Sequence, residues 1–415
     1  MWRLLAVFVL VASCGGGGDP PVTSGEDARS DSPPAHCQPI PAMGQFVRRP
    51  GNPRIAAGRT FFDAKLDTSI SDPDVRFDAT AGRYELYYGA EHATTFSDVD
   101  KPRVIRHASS VDRVTWTIDD APVFAASPDL AAWDHVRVDA PTVAFNPDAP
   151  AERRYLLLYA GASRTFPHPG YSFPDYSIGG AFSADGKNFV RVAAADSPHG
   201  QAGLVITGAQ TYPAAGGAIV GDPDVAYVAG VYHVFVSSFA CDGANCAHPV
   251  GLGVAHASSA DGITWTVLEA PVRSLLRTSS DATTGGQQPS VVYDAEHCRW
   301  ELWQTSDLAN ENDNQPVELD NMVGVWRAES TDGQQWSIFY AGQRELAWNQ
   351  AAPAPGEKLG LRSGVDVAQN STGRLMLYGG FDDQNVPPGF SLPDRTALGS
   401  RAGVMTLNIA TRDLP

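Results

Sequence analysis

Five short runs resemble one another, and six aspartates stand in four of them. The runs are Ser71-Asp72-Pro73-Asp74-Val75, Val138-Asp139-Ala140-Pro141-Thr142-Val143, Gly221-Asp222-Pro223-Asp224-Val225, Gln287-Gln288-Pro289-Ser290-Val291 and Ser363-Gly364-Val365-Asp366-Val367. Carboxyl groups converging on one cavity can cleave an acetal. An ionised one activates water, while a second, kept protonated by burial or by a neighbouring charge, donates to the leaving oxygen. Paired acids push one another's pKa apart, which assigns those roles. An Asp before Pro can also simply cap a turn with its side chain, so the chemistry depends on what the surrounding elements do with these runs.

Those elements repeat. After each opening comes an aromatic-rich strand: Arg83-Tyr84-Glu85-Leu86-Tyr87-Tyr88, Arg154-Tyr155-Leu156-Leu157-Leu158-Tyr159, Val231-Tyr232-His233-Val234-Phe235-Val236, Arg299-Trp300-Glu301-Leu302-Trp303 and Arg374-Leu375-Met376-Leu377-Tyr378. The steps between the second residues of these runs are 71, 77, 68 and 75. A short third strand rich in small residues follows. Next comes a Ser-x-Asp-x-x-x-aromatic connection, with rings at Trp116, Phe189, Trp265 and Trp336, 73, 76 and 71 residues apart. Asp-Gly inside three of these connections supplies the positive φ of a tight turn. Two registers therefore count the same repeat. Proline fits the opening of a strand, where no ladder donor is needed. The fifth unit ends without the connection, and the segment around Arg54 to Phe62 is the candidate N-terminal strand to complete it and remove the free edges. The predicted fold is all-β: a five-bladed β-propeller of four-stranded antiparallel blades, closed by an N-terminal strand. Four copies of the turn aspartate on outer loops are scaffold.

Such a fold brings the first residues of the innermost strands to the mouth of a central funnel. Asp72, Asp139 and Asp222 are the candidate reacting carboxyls there, with Gln288 and Asp366 beside them. His107 and His256 occupy equivalent third-strand positions and could bind sugar hydroxyls, help a central cation or serve packing. Trp133 and Trp303 could stack on sugar faces, Trp303 alternatively being core. Arg137 and Arg362 flank first strands and could orient a substrate.

A net charge of −17 argues against nucleic acid and anionic surfaces as partners. It fits a protein that handles neutral ligands. Of the five cysteines, Cys241 and Cys246 bracket a loop short enough for a local bridge, which leaves Cys37 and Cys298 to pair; four cysteines allow three pairings. The chain divides into 1–13, a targeting segment with one positive charge and an apolar run too short to span a bilayer; 14–45, a Gly-, Pro-, Ser- and Asp-rich tether; and 46–415, the propeller.

Two resemblances add to this reading. Val11-Ala12-Ser13-Cys14 resembles the lipobox of bacterial lipoproteins, which implies lipidation at Cys14 and a soluble body anchored in the cell envelope, at the outer membrane or facing the periplasm. The five-fold array with Asp-Pro openings and Ser-x-Asp-Gly-x-x-Trp connections resembles the furanosidase-type propellers: the arabinanases and xylosidases of glycoside hydrolase family 43 and the fructosidases of family 32. That resemblance covers about residues 55 to 410. It implies action on an oligosaccharide or polysaccharide, with Asp72 as base, Asp139 as the residue that tunes pKa and Asp222 where those families carry an acid Glu. It also implies a calcium ion on the axis in some members, with no other cofactor. No Glu occupies an innermost strand. That absence favours a rival expectation, a non-catalytic propeller that binds glycans or other partners.

Overall fold

The computed structural model describes residues 37, 46–52, 54–55, 66–93, 103–163, 175–212, 217–241, 249–273, 286–307, 322–338, 345–347, 354–355, 360–370, 373–382 and 404–413. The targeting segment, Cys14, Cys246 and most of the tether lie outside these residues, as do the side chains of Cys241 and Arg362.

A two-residue strand β1 (Val47–Arg48) opens the fold. The first blade holds β2 (Leu66–Asp78), β3 (Arg83–Ala93), β4 (Arg103–Ser110), and a fourth edge split into β5 (Thr117–Ile118) and β6 (Phe124–Ala125). The second holds β7 (Arg137–Phe145), β8 (Tyr155–Ala162), β9 (Ser177–Ser183), β10 (Val190–Arg191) and β11 (Leu204–Ile206). The third has four unbroken strands, β12 (Gly217–Val228), β13 (Val231–Cys241), β14 (Pro249–Ser259) and β15 (Thr266–Arg273). The fourth holds β16 (Gly286–Asp294), β17 (Arg299–Asp307), β18 (Met322–Ser330), β19 (Ser337–Ile338) and β20 (Leu346–Ala347). The fifth is β21 (Gly360–Asn370), β22 (Gly373–Asp382) and β23 (Val404–Asp413), with β1 as its outer strand. Within each blade the pairing is antiparallel, first strand to second to third to fourth.

The first strands pack against one another in a closed ring, β2 to β7 to β12 to β16 to β21 and back to β2. The N-terminal closure expected from sequence is made, but by Val47–Arg48 against Thr411 and Ala410. Ile55, within the segment proposed for that role, adds one bridge to Leu407. A disulfide joins Cys37 to Cys298 across 5.6 Å between Cα atoms, so the segment leading to the closing strand is tied to the fourth blade. Cys298 has φ 52°, in a turn where the first and third blades place Gly82 and Gly230 with positive φ.

The core lies between blades. The ring positions of the repeated connection each reach toward the preceding blade. Trp116 packs on a cluster that includes Leu375 and Leu377 of the fifth, and Trp265 on one that includes Leu156 and Leu158 of the second. Phe189 meets Tyr87 edge-on at 6.2 Å, and Trp336 meets Phe235 at 5.6 Å. The turn before each ring is held by its own polar atoms. Asp112, Asp185, Asp261 and Asp332 each accept two backbone amides, and each is bonded by the preceding Ser hydroxyl. Gly186, Gly262 and Gly333 supply φ of 74°, 74° and 72°, and Arg113 takes φ 66° at the same place. These aspartates are scaffold, as their four-fold recurrence implies.

Register corrects the fifth repeat by one residue. Val367 pairs with Met376 as Val75 pairs with Leu86, so Arg374, not Leu375, corresponds to Tyr84.

Candidate functional site

The prolines of the four Pro-bearing openings are not at strand starts. Each lies inside a first strand, where the register slips between Ser71 and Asp74, Asp139 and Thr142, Gly221 and Asp224, and Gln287 and Ser290. A bulge removes the need for the amide that proline lacks, bends the strand and re-aims its side chains. The residue before each proline has positive φ: Asp72 52°, Ala140 41°, Asp222 44° and Gln288 53°. Aspartate visits that region through local hydrogen bonding, whereas alanine and glutamine do so at a cost of about 1–3 kcal/mol. Four blades thus hold a strained backbone at one place, and that place is a mouth.

Asp72, Ala140, Asp222 and Gln288, the proline after each (Pro73, Pro141, Pro223 and Pro289) and Val365 of the fifth blade line one open cavity of about 30 Å³. Asp72 and Asp222 are its two carboxyls, on the first and third blades, with the small Ala140 between them in ring order. Asp139, expected at the same position on the second blade, is one residue upstream. It corresponds to Ser71, Gly221 and Gln287 and does not line the cavity. It is held beside the mouth between two guanidiniums, 2.9 Å from Arg103 and 2.9 Å from Arg137.

Arg103 opens β4. Its Nη2 donates to the Ser71 hydroxyl and lies 3.7 Å from Asp72. The Ser71 hydroxyl in turn bonds Asp72 at 2.6 Å. Arg137 sits over the ring of Tyr176, 5.6 Å from its centroid. Ser237 accepts the Gln288 amide at 2.7 Å and also bonds Asp222.

Burial raises the Asp72 carboxyl to about 7, helped by the charges of Asp139 and Asp222 and opposed by Arg103 and the Ser71 hydroxyl. Burial raises Asp222 to about 6, opposed by the Ser237 bond and helped by Asp139. Burial also holds the Tyr176 phenol well above its usual value, so it stays neutral beside Arg137, Asp139, Arg103 and Asp72. Asp72 and Asp222 repel one another across the mouth, so ionisation of either one holds the proton on the other. Asp139, outside the cavity, acts on both.

One residue past each proline, and at Asp366 in the fifth blade, a second ring encircles the axis. Asp74 accepts the Val143 amide at 3.1 Å, Thr142 the Val225 amide at 3.1 Å, Asp224 the Val291 amide, Ser290 the Val367 amide at 3.1 Å, and Asp366 the Val75 amide. Thr142 also donates to Asp224 at 3.0 Å and Ser290 to Asp366 at 2.7 Å. Each blade's side chain thus ties down the next blade's backbone, and the fifth closes on the first. Asp74, Asp224 and Asp366 bring oxygens within 4.8 Å of one another, near enough for the calcium ion that the resemblance implies. Amides and hydroxyls also engage these oxygens. Calcium takes six to eight oxygens from carboxylates, carbonyls or water. The contacts shown close the collar by hydrogen bonds from blade to blade.

The remaining sequence candidates separate. Gln288 lines the mouth and Arg137 flanks it. Asp366 belongs to the collar, not the mouth. His107 is buried between Glu85, 2.7 Å away, and Asp119, 2.9 Å away. His256 stacks on Phe235 at 4.2 Å and bonds His233 at 3.1 Å, and burial lowers it to about 4. Third strands lie away from the axis, so neither histidine reaches the funnel. Trp303 is fully buried against Phe46 and Arg374 and cannot stack on a sugar. Trp133 stacks on Tyr159 at 5.9 Å and donates its indole N–H to the Ala202 carbonyl, outside the cavity lining. Ser71, Arg103, Tyr176 and Ser237 were not singled out from sequence. Only Ser71, directly before Asp72-Pro73, had a signal in the local sequence.

No protein-family model and no curated protein sequence matches the chain. Solved structures do resemble it. A BT0996 RGII complex has a TM-score of 0.58 at 12% identity, the match covering 88% of this protein and 92% of that one. A glycosyl hydrolase from Bacteroides ovatus gives 0.52 at 13% identity over 91% and 96%. Zg3597, a family 117 glycoside hydrolase from Zobellia galactanivorans, gives 0.51 at 14% identity over 89% and 90%. At these identities the likeness is one of fold: the chain has the propeller fold that these glycoside hydrolases share.

Proposed function

We propose that the chain hydrolyses a neutral oligosaccharide at this mouth by single displacement. The observation that carries the reading is that Asp72 and Asp222 face one cavity from blades one and three, with Asp139's charge raising both. Burial raises both carboxyls toward neutral pH, and on this reading Asp72 carries the proton of the pair while Asp222 is ionised. Asp72 then donates its proton to the glycosidic oxygen as that oxygen leaves the anomeric carbon. Asp222 takes a proton from the water that bonds to that carbon from the opposite face, so the configuration inverts and each carboxyl exchanges one proton. This order exchanges the base and acid roles that the family resemblance implies for Asp72 and Asp222, and keeps the tuning role of Asp139. The RGII complex and the hydrolase names among the fold's relatives support a carbohydrate ligand. The lipobox-like segment supports a place in the cell envelope, anchored through Cys14.

The absence of Glu from the innermost strands supports a second reading, glycan binding without hydrolysis. A screen of neutral oligosaccharides and aryl glycosides with the wild type, Asp72→Asn and Asp222→Asn separates the two. Asparagine suits the positive φ at both positions, so folding is preserved. Hydrolysis predicts loss of about 10²-fold or more in both variants; binding without turnover by the wild type supports the second reading. Turnover unchanged in both variants overturns the site assignment.

A further inference from the structure

We propose that Arg103 is the positioning residue of this site: its guanidinium locks Asp139 beside the mouth and, together with the Ser71 hydroxyl, fixes the geometry in which Asp72 holds its proton. The inference rests on the hydrolytic reading for its chemical purpose, but its geometry stands alone. One buried side chain touches Asp139 at 2.9 Å, Asp72 at 3.7 Å and Ser71 through a hydrogen bond. It comes from the third strand of the first blade, whereas Asp139 comes from the first strand of the second, so Arg103 couples the two blades at the mouth. Among the described residues, the only parallel pairing in this sheet lies at the same point, Arg103 against Arg137.

Space for the couple is made by Gly89, opposite Ser71 on β3. A Cβ there would press on the Asp139 carboxylate and lie 3.1 Å from the Arg103 guanidinium. The matching position carries Ala160, Ser237 and Thr305 in the next three blades. The first blade thus omits a side chain where a salt bridge from its neighbour must enter.

The charged and titratable groups facing Asp72 are Asp139 and Arg137 from β7, Arg103 from β4, Asp222 from β12 and Tyr176 beside β9. Glu91 of β3 acts on Arg103. Among those acting directly on Asp72, Arg103 opposes the two carboxylates; without it only the Ser71 hydroxyl opposes their charges and burial. Arg137 stays on Asp139 and cannot replace that contact.

The test is a carboxyl-carbon NMR titration of the full chain labelled at aspartate, with Asp72 and Asp222 assigned through their Asn variants. Arg103→Met is expected to raise the Asp72 midpoint by about one unit, a tenfold gain in proton affinity. Arg103→Lys keeps a charge but not the fork that spans Asp139 and Ser71, and is expected to restore part of that shift. Gly89→Ala, which leaves all four polar residues in place, is expected to move the midpoint in the same direction and covers the case in which Arg103→Met fails to fold. An Asp72 midpoint that stays within about 0.3 unit of wild type in a folded Arg103→Met, or in Gly89→Ala if that protein alone folds, overturns the proposal. The glycoside screen reports separately. A moved midpoint with no wild-type turnover leaves Arg103 as positioning residue and removes hydrolysis, whereas an unmoved midpoint with turnover lost in Asp72→Asn does the reverse.

Discussion

Asp72→Asn should make the protein more stable above neutral pH, and the size of the effect follows from the mouth. The folded chain holds the Asp72 carboxyl at about 7 against an ordinary 3.8. The folded state therefore binds this proton more tightly than the unfolded state does. Stability from this group is fully present below the unfolded value and is lost as pH rises toward 7. Roughly three units at about 1.4 kcal/mol each give an upper bound of about 4 kcal/mol. The side chain keeps 14% of its exposure and has Arg103 nearby, so about 2 kcal/mol is the working figure after solvent screening. Asparagine carries no charge to bury, suits φ 52°, and can still accept the Ser71 hydroxyl. Urea unfolding of both proteins at pH 4.5, 6, 7 and 8 measures the difference. It should be small at pH 4.5 and grow to about 2 kcal/mol in favour of Asp72→Asn at pH 8. A difference that stays flat across this range refutes the claim that burial and neighbouring carboxylates raise Asp72.

Two further outcomes follow from the frame around the site. Breaking the Cys37–Cys298 link, by reduction or by Cys298→Ser, releases the segment leading to the closing strand and should lower unfolding stability by about 2–4 kcal/mol, read as a shift in urea midpoint; an unchanged midpoint means that the link does not hold the fifth blade closed. Trp303→Ala should cost about 3–5 kcal/mol of stability while any glycan affinity of the folded protein stays constant, and a selective loss of affinity would return Trp303 to the binding surface.

The repeat was legible because scaffold repeats: the aromatic second strands and the Ser-x-Asp turns each recur at a spacing that a propeller alone explains. The fifth copy slipped by one residue because Arg374-Leu375-Met376-Leu377-Tyr378 offers apolar residues in either frame, and only pairing of Val367 with Met376 fixes it. The closing strand on β23 includes Val47 and Arg48, upstream of the expected segment, of which Ile55 adds a bridge and residues 56–62 lie outside the described residues. At the site, Asp72 and Asp222 were readable from Asp-Pro. Asp139 looked equivalent to them, but the bulge counts from the proline, and Ala140 takes the place at the mouth. Ser237 and Arg103 stand on second and third strands, and Tyr176 just before another. Their approach to the funnel depends on how neighbouring blades pack, which no local pattern records. For the histidines, the packing alternative is the one the structure shows, since a shared repeat position on a third strand is a position in the wall between blades.

The account stands on Asp72 and Asp222 acting as a proton donor and a proton acceptor across one mouth. Comparing each Asn variant on an accepted sugar with an alkyl or phenyl leaving group and with a dinitrophenyl one tests this most directly, because a good leaving group needs no proton. Asp72→Asn should recover most of its lost rate on the dinitrophenyl glycoside, and Asp222→Asn should not. Recovery in Asp222→Asn alone would reverse the two roles, and equal losses on both substrates in both variants would contradict acid–base catalysis by this pair.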